Sequence, residues 1–175
     1  MCFNYFWSWL SANATNVIAL TALAATFYQA YISRKHNKLS VKPYLTTWNT
    51  TTPEGYSILA IINNGVGPAH IKSFGIFVDG QKMIGENTEP HIKCLNIIFP
   101  DYLFSWYGSY LGIDYMMPSN EQKDLIAIKF TDTKVPSQLE MQHRTKRVQI
   151  VIEYESIYQE KFKYDSASEA RKQLS

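Results

Sequence analysis

The chain has 175 residues, a formal net charge of +2 and 46% hydrophobic residues. That length holds one domain plus a terminal segment. The near-neutral charge, with no Lys/Arg stripe interleaved with aromatics, argues against nucleic-acid binding. Only Cys2 and Cys94 are present, too few and too far apart for a disulfide framework, which suits a reducing compartment.

Charge is distributed unevenly. Charged residues make up 18% of the chain, yet Arg34 is the first. Residues 8–32, SWLSANATNVIALTALAATFYQAYI, contain no charge, proline or glycine. As a helix they span about 37 Å, more than the roughly 30 Å hydrocarbon core of a bilayer. Trp7 and Trp9 at one end, and Tyr28 and Tyr31 at the other, suit two membrane interfaces. Arg34, Lys35 and Lys38 follow, and the positive-inside rule places them on the cytoplasmic side. The expectation is an inner-membrane, single-pass protein with membrane lipid around residues 1–33, its N-terminus outside and a basic linker over 34–40. Within the span, Ala12, Thr15, Ala19, Ala22 and Thr26 recur at spacings of three and four. Such a small-residue stripe lets helix backbones approach, pointing to a homo-oligomer or a membrane partner.

The rest of the chain reads as short strands. VKPYLTTW (41–48) alternates, with Pro43 at an early or edge position. YSILAIIN (56–63) is nearly continuously apolar, as in a central strand buried on both faces. NNGVGP then breaks the run, and AHIKSFGIFV (69–78) alternates again. Asp79-Gly80 between apolar runs signals a hairpin into a short strand at 81–84. TEPHIKCLNIIF predicts a helix after Thr88, with Pro90 in its first turn. Residues 99–115 are aromatic-dense and read as a loop and a strand. Strands follow at 124–130, 147–155 and 160–164, and PSQLEMQHRTK predicts a short helix. The tail 166–175 is polar. Together these predict a mainly β protein: a transmembrane helix, then an antiparallel β-sandwich over 41–165, immunoglobulin-like or a small barrel, with one or two inserted helices.

The residues carry little catalytic chemistry. NNGVGPAHI lacks both the GxGxxG spacing and a GK[ST] ending, and it opens into a strand, so it reads as a turn and not a phosphate loop. His91-x-x-Cys94 is two ligands short of a zinc site. No nucleophile elbow or Ser/His/Asp order appears. The expectation is a non-enzyme without cofactor or metal. The aromatic stretch either fills the core or is the candidate recognition surface, through Tyr102, Phe104, Trp106, Tyr107 and Tyr110, whose rings offer contact area with few rotatable bonds.

Three stretches, SRKHNKLSVKPYL, NNGVGPAHIKSF and IEYESIYQEKF, together resemble small bacterial proteins with one N-terminal transmembrane helix and a β-rich cytoplasmic domain. Gln159 stands where that pattern has a glycine in the last hairpin. The architecture also resembles some anti-phage effectors, in which a soluble domain senses a signal and helices disrupt the membrane. The resemblance implies a membrane-anchored sensing or effector protein whose β-domain binds a ligand or protein and whose helices oligomerise. The alternative is a passive adaptor holding a protein partner at the membrane.

Overall fold

A computed structural model describes residues 9, 12–52, 56–132 and 134–168. The chain divides into two compact units, one ending at Ser40 and one beginning at Val41.

The first unit is built on helix α1, Ala14–Leu39. It corrects the membrane reading. Among the described residues, no helix is long and apolar enough to cross a membrane. The reason lies in the residue mix. Thr15, Asn16, Thr21, Thr26 and Gln29 dilute the apolar run, and the helix continues straight through Arg34, Lys35 and Lys38. The basic cluster is therefore the end of a helix and not a separate linker, where cations complement the C-terminal dipole. The expected single-pass inner-membrane placement, with its outside N-terminus and cytoplasmic domain, falls with it. Trp7 lies outside the described residues. Trp9, Tyr28 and Tyr31 are exposed.

Among its described residues, the second unit holds two antiparallel sheets and two helices of eight or more residues. Sheet A runs in the order β1 (Leu45–Thr51), β2 (Ser57–Asn63), β7 (Gln122–Phe130), β5 (Phe104–Tyr107). Sheet B runs β4 (Gln81–Lys82), β3 (Ala69–Val78), β8 (Val148–Glu155), β9 (Lys161–Asp165), and β6 (Met116–Met117) pairs with β3 off this path. Helix α2 is Glu89–Ile98 and α3 is Gln138–Thr145. The expected mainly β class is corrected accordingly: this is a mixed α/β structure, because the chain forms helices of 26, 10 and 8 residues as well as the two sheets.

Local sequence explains most of these elements. Asp79 and Gly80 both take positive φ, 51° and 80°, which the tight β3–β4 hairpin requires. Ser137 caps α3, its side chain accepting the Glu140 N–H at 3.2 Å, a contact worth about 1 kcal/mol. Pro90 sits in the first turn of α2, where its missing N–H costs no helix bond. The β8–β9 turn needs a left-handed residue, and Gln159 supplies it at φ 61° without being glycine.

One core lies between the sheets. Ile61, Ile71, Ile76, Leu111, Leu125, Ile150 and Ile152 are among its most deeply buried aliphatic residues, each contributing about 1.5–3 kcal/mol by leaving water. The β2–β7 register shifts at Leu59/Ala60. This bulge turns both Leu125 and Ile126 into the core. The face of α2 bearing His91, Cys94, Leu95 and Ile98 is also buried.

Asn63 organises the end of β2. It is fully buried, and its side chain binds five backbone groups. Its Oδ1 accepts the N–H groups of Tyr44 (3.1 Å) and Gly65 (3.0 Å). Its Nδ2 faces the carbonyls of Gly67 (2.9 Å), Met117 (3.1 Å) and Pro118 (3.1 Å). The NNGVGP turn is thereby tied to the segment entering β1 and to the one leaving β6. Gly67 belongs to the same junction: a Cβ there would fall 1.8 Å from the Val41 carbonyl oxygen. Close passage of residues 41–44 thus demands the glycine.

Candidate recognition surface

Strand alternation gives sheet A two unlike faces. Inward go Leu45, Leu59, Ile61, Ile126, Ile128, Phe104 and Trp106, all packed in the main core. Outward go Thr50, Ile58, Ala127 and Tyr107, aligned across all four strands by the pairs Thr50↔Ile58, Ile58↔Ala127 and Tyr107↔Ala127. Beside that row stands Trp48 opposite Ala60.

This outer face is not an ordinary solvated one. Ile58, Ala60 and Ala127 form a second buried cluster, with Tyr56 packed against it. Ala60 and Ala127 are fully covered although they lie on the outside of the sheet. Larger neighbours rise above them. Trp48 is 58% exposed and Tyr107 46% exposed. The Tyr56 and Tyr107 rings meet at 5.5 Å, and Lys129 Nζ lies 5.5 Å from the Tyr56 ring centre. The Tyr107 hydroxyl donates to Asp124 at 3.3 Å. The result is a shallow apolar saddle in which the alanines are covered by their own neighbours and the aromatic side chains form the accessible surface.

The aromatic stretch is split by the same alternation. Tyr107 reaches this face. Tyr102 is buried, its hydroxyl donating to Glu140 Oε2 at 2.8 Å. Phe104 and Trp106 are half-buried against the core. Tyr110 lies edge-on to Phe74 at 6.1 Å, away from the saddle. The five residues therefore do not form one surface. Trp48, Tyr56, Ala60 and Ala127 complete the saddle, and sequence reading did not single them out. A signal was present: YSILAIIN is apolar at both parities, as expected of a strand covered on both sides.

The other clusters are of different kinds. His91 is fully buried, its ring near-parallel to Phe74 (5.6 Å, 22°) and Trp106 (6.3 Å, 13°). Neither ring nitrogen has a hydrogen-bond partner among the described residues. Burial holds its pKa below the usual histidine value; the Thr88 backbone pulls weakly the other way, outside hydrogen-bonding geometry. Burial also pushes the Cys94 thiol up to about 12, so it is not a ready thiolate. At the surface, Asp114 Oδ1 binds Lys72 Nζ (3.2 Å) and His70 Nε2 (3.0 Å), and these hold its carboxyl below the usual range, Lys72 first. Among the described residues no group of three or more His, Cys, Asp or Glu side chains is placed to hold a metal ion.

The stripe residues Thr15, Ala19, Ala22 and Thr26 on α1, and Ala12 just before it, are all exposed. The Thr26 hydroxyl donates back to the Ala22 carbonyl at 2.8 Å, which leaves its oxygen as an acceptor only.

No protein-family model matches the chain, and no curated protein shows significant similarity to it.

Proposed function

We propose that this chain is a non-catalytic recognition protein. The saddle on sheet A takes a short apolar segment of a protein partner between Trp48 and the Tyr56–Tyr107 pair, and α1 holds copies of the chain together. One observation supports the recognition role above the rest: a buried apolar cluster on the outer face of a sheet, walled by aromatics that stay half-exposed. Rigid aromatic anchors around a desolvated centre are the composition of binding hot spots.

The test identifies the partner by photo-crosslinking from position 107 in the full chain, with position 158, on an exposed turn, as the control site. The captured protein is then purified and titrated. Replacing Trp48 and Tyr107 together with alanine should weaken binding at least about thirtyfold, since loss of two hot-spot anchors costs about 2 kcal/mol or more. Unchanged affinity in that variant rejects the saddle as the site.

The assembly role rests on the small-residue stripe, where missing bulk allows close approach of two helices. Ala19→Leu with Ala22→Leu should lower the sedimentation coefficient of the full chain. Leu20→Ile with Leu23→Ile should leave it as it is. Equal behaviour of the two pairs removes the stripe from the proposal.

A further inference from the structure

The two sheets end in strands that differ in how they are protected. A bare strand edge is a template for pairing, and proteins blunt such edges with short strands or charge. In sheet B, β4 and β6 have two residues each, and β9 turns Lys161 and Lys163 to solvent. In sheet A, β5 has only four residues. The other edge of sheet A is β1, seven residues reading LTTWNTT, with no charge, proline or glycine.

The hydrogen-bond phase shows which groups on β1 are unused. Tyr44 and Asn64 bond through the Tyr44 carbonyl at 2.8 Å, and Thr52 donates to the Tyr56 carbonyl at 2.8 Å. Even-numbered residues of β1 thus face β2, and odd-numbered ones face away. The outward Leu45 N–H meets the Tyr154 hydroxyl at 3.4 Å. The outward backbone groups of Thr47, Asn49 and Thr51 have no partner among the described residues.

We propose that β1 pairs antiparallel with β1 of a second copy of this chain, about a two-fold axis at Trp48. Outward groups are all odd-numbered, so odd must meet odd, and a centre at Trp48 engages the whole strand. The strand is nearly palindromic about that point. Thr46 faces Thr50 of the other copy, Thr47 faces Asn49, and Trp48 faces itself. Thr–Thr and aromatic–aromatic pairs are favourable cross-strand partners. Without charge, a copy meets no like charge, and an isologous contact closes at two. Trp48 falls at a non-hydrogen-bonded site, where Cα atoms approach to about 4.5 Å. The two sheets A become one eight-stranded sheet. This contact shares Trp48 with the saddle but not Tyr107, which stands on β5 at the opposite edge of sheet A.

Disulfide trapping tests both contact and register, in the full chain with Cys2→Ser. Trp48→Cys should give a cross-linked dimer under mild oxidation on a non-reducing gel. Thr50→Cys alone should not, because its two copies lie about 13 Å apart along the strands. A mixture of Thr46→Cys and Thr50→Cys chains should cross-link. Asn49→Pro removes an outward N–H and spares the β1–β2 ladder; added to Trp48→Cys it should cut the yield at least tenfold. Tyr107→Ala, on the far edge of sheet A, should leave the yield unchanged. No cross-link from Trp48→Cys, as when a different protein's strand occupies the edge, overturns the proposal. So does equal yield from Thr50→Cys, which would mark collision and not pairing.

Discussion

Replacing Asn63 with aspartate should unfold the Val41 unit at neutral pH, and replacing it with alanine should come close. Alanine leaves the Tyr44 and Gly65 N–H groups without their acceptor, and three carbonyls lose the amide that they share. Each unsatisfied buried group costs about 1–3 kcal/mol. A loss of at least about 4 kcal/mol follows, against a total stability of about 5–15 kcal/mol. Aspartate is worse, because a carboxylate oxygen then faces three carbonyl oxygens in a fully buried site. Its carboxyl is protonated more readily in the folded state than in the unfolded chain. Its penalty should therefore shrink as pH falls, since the acid form regains one donor. Urea titrations followed by near-ultraviolet circular dichroism at pH 7 and pH 5 measure both effects. An Asn63→Asp protein within about 1 kcal/mol of the original would show that the five contacts do not hold the junction.

Acid should destabilise the same unit through His91. Burial lowers the folded pKa below that of the unfolded chain, which is about 6.5. Above pH 6.5 the ring is neutral in both states and contributes nothing. Below it the unfolded chain takes a proton that the folded one refuses. Stability then falls by up to about 1.4 kcal/mol per pH unit until the folded pKa is reached. Carboxylates held low by partners, such as Asp114 with Lys72 and Asp79 with Arg147, lose their contribution in a separate and more acidic window, below about pH 4. His91→Phe keeps a ring between Phe74 and Trp106 and removes two unpartnered nitrogens. Its stability at pH 7 should equal or exceed that of the original, and the slope just below pH 6.5 should flatten. A slope unchanged in His91→Phe would assign the acid sensitivity to another group.

Both residues show how far one sequence can be read. Asn63 closes an apolar run and opens an Asn-Gly turn, and that is all the local pattern says. Its five partners come from residues 44, 65, 67, 117 and 118, and chain separation hides them. His91 was visible as a histidine one turn before Cys94. Its burial depends on β3 and β5 closing over α2.

By itself the sequence determined the local elements. β3 runs over the residues its alternation predicts, the Asp79-Gly80 hairpin follows, and α2 begins after Thr88. Those features rest on short-range sterics and periodicity, which neighbouring residues carry. Tertiary structure decided the rest. The lack of charge before Arg34 suggested a membrane span, but charge alone does not measure apolarity, and α1 is too dilute in apolar residues to cross one. Alternation in β5 sent Phe104 and Trp106 to the core and left Tyr107 outside. The saddle arises only when β1, β2, β7 and β5 lie side by side in register, bringing Trp48, Ala60, Ala127 and Tyr107 from distant parts of the chain onto one face. Pairing of distant strands is a property of the whole folded chain, because its free energy comes from burial that no single segment can achieve alone.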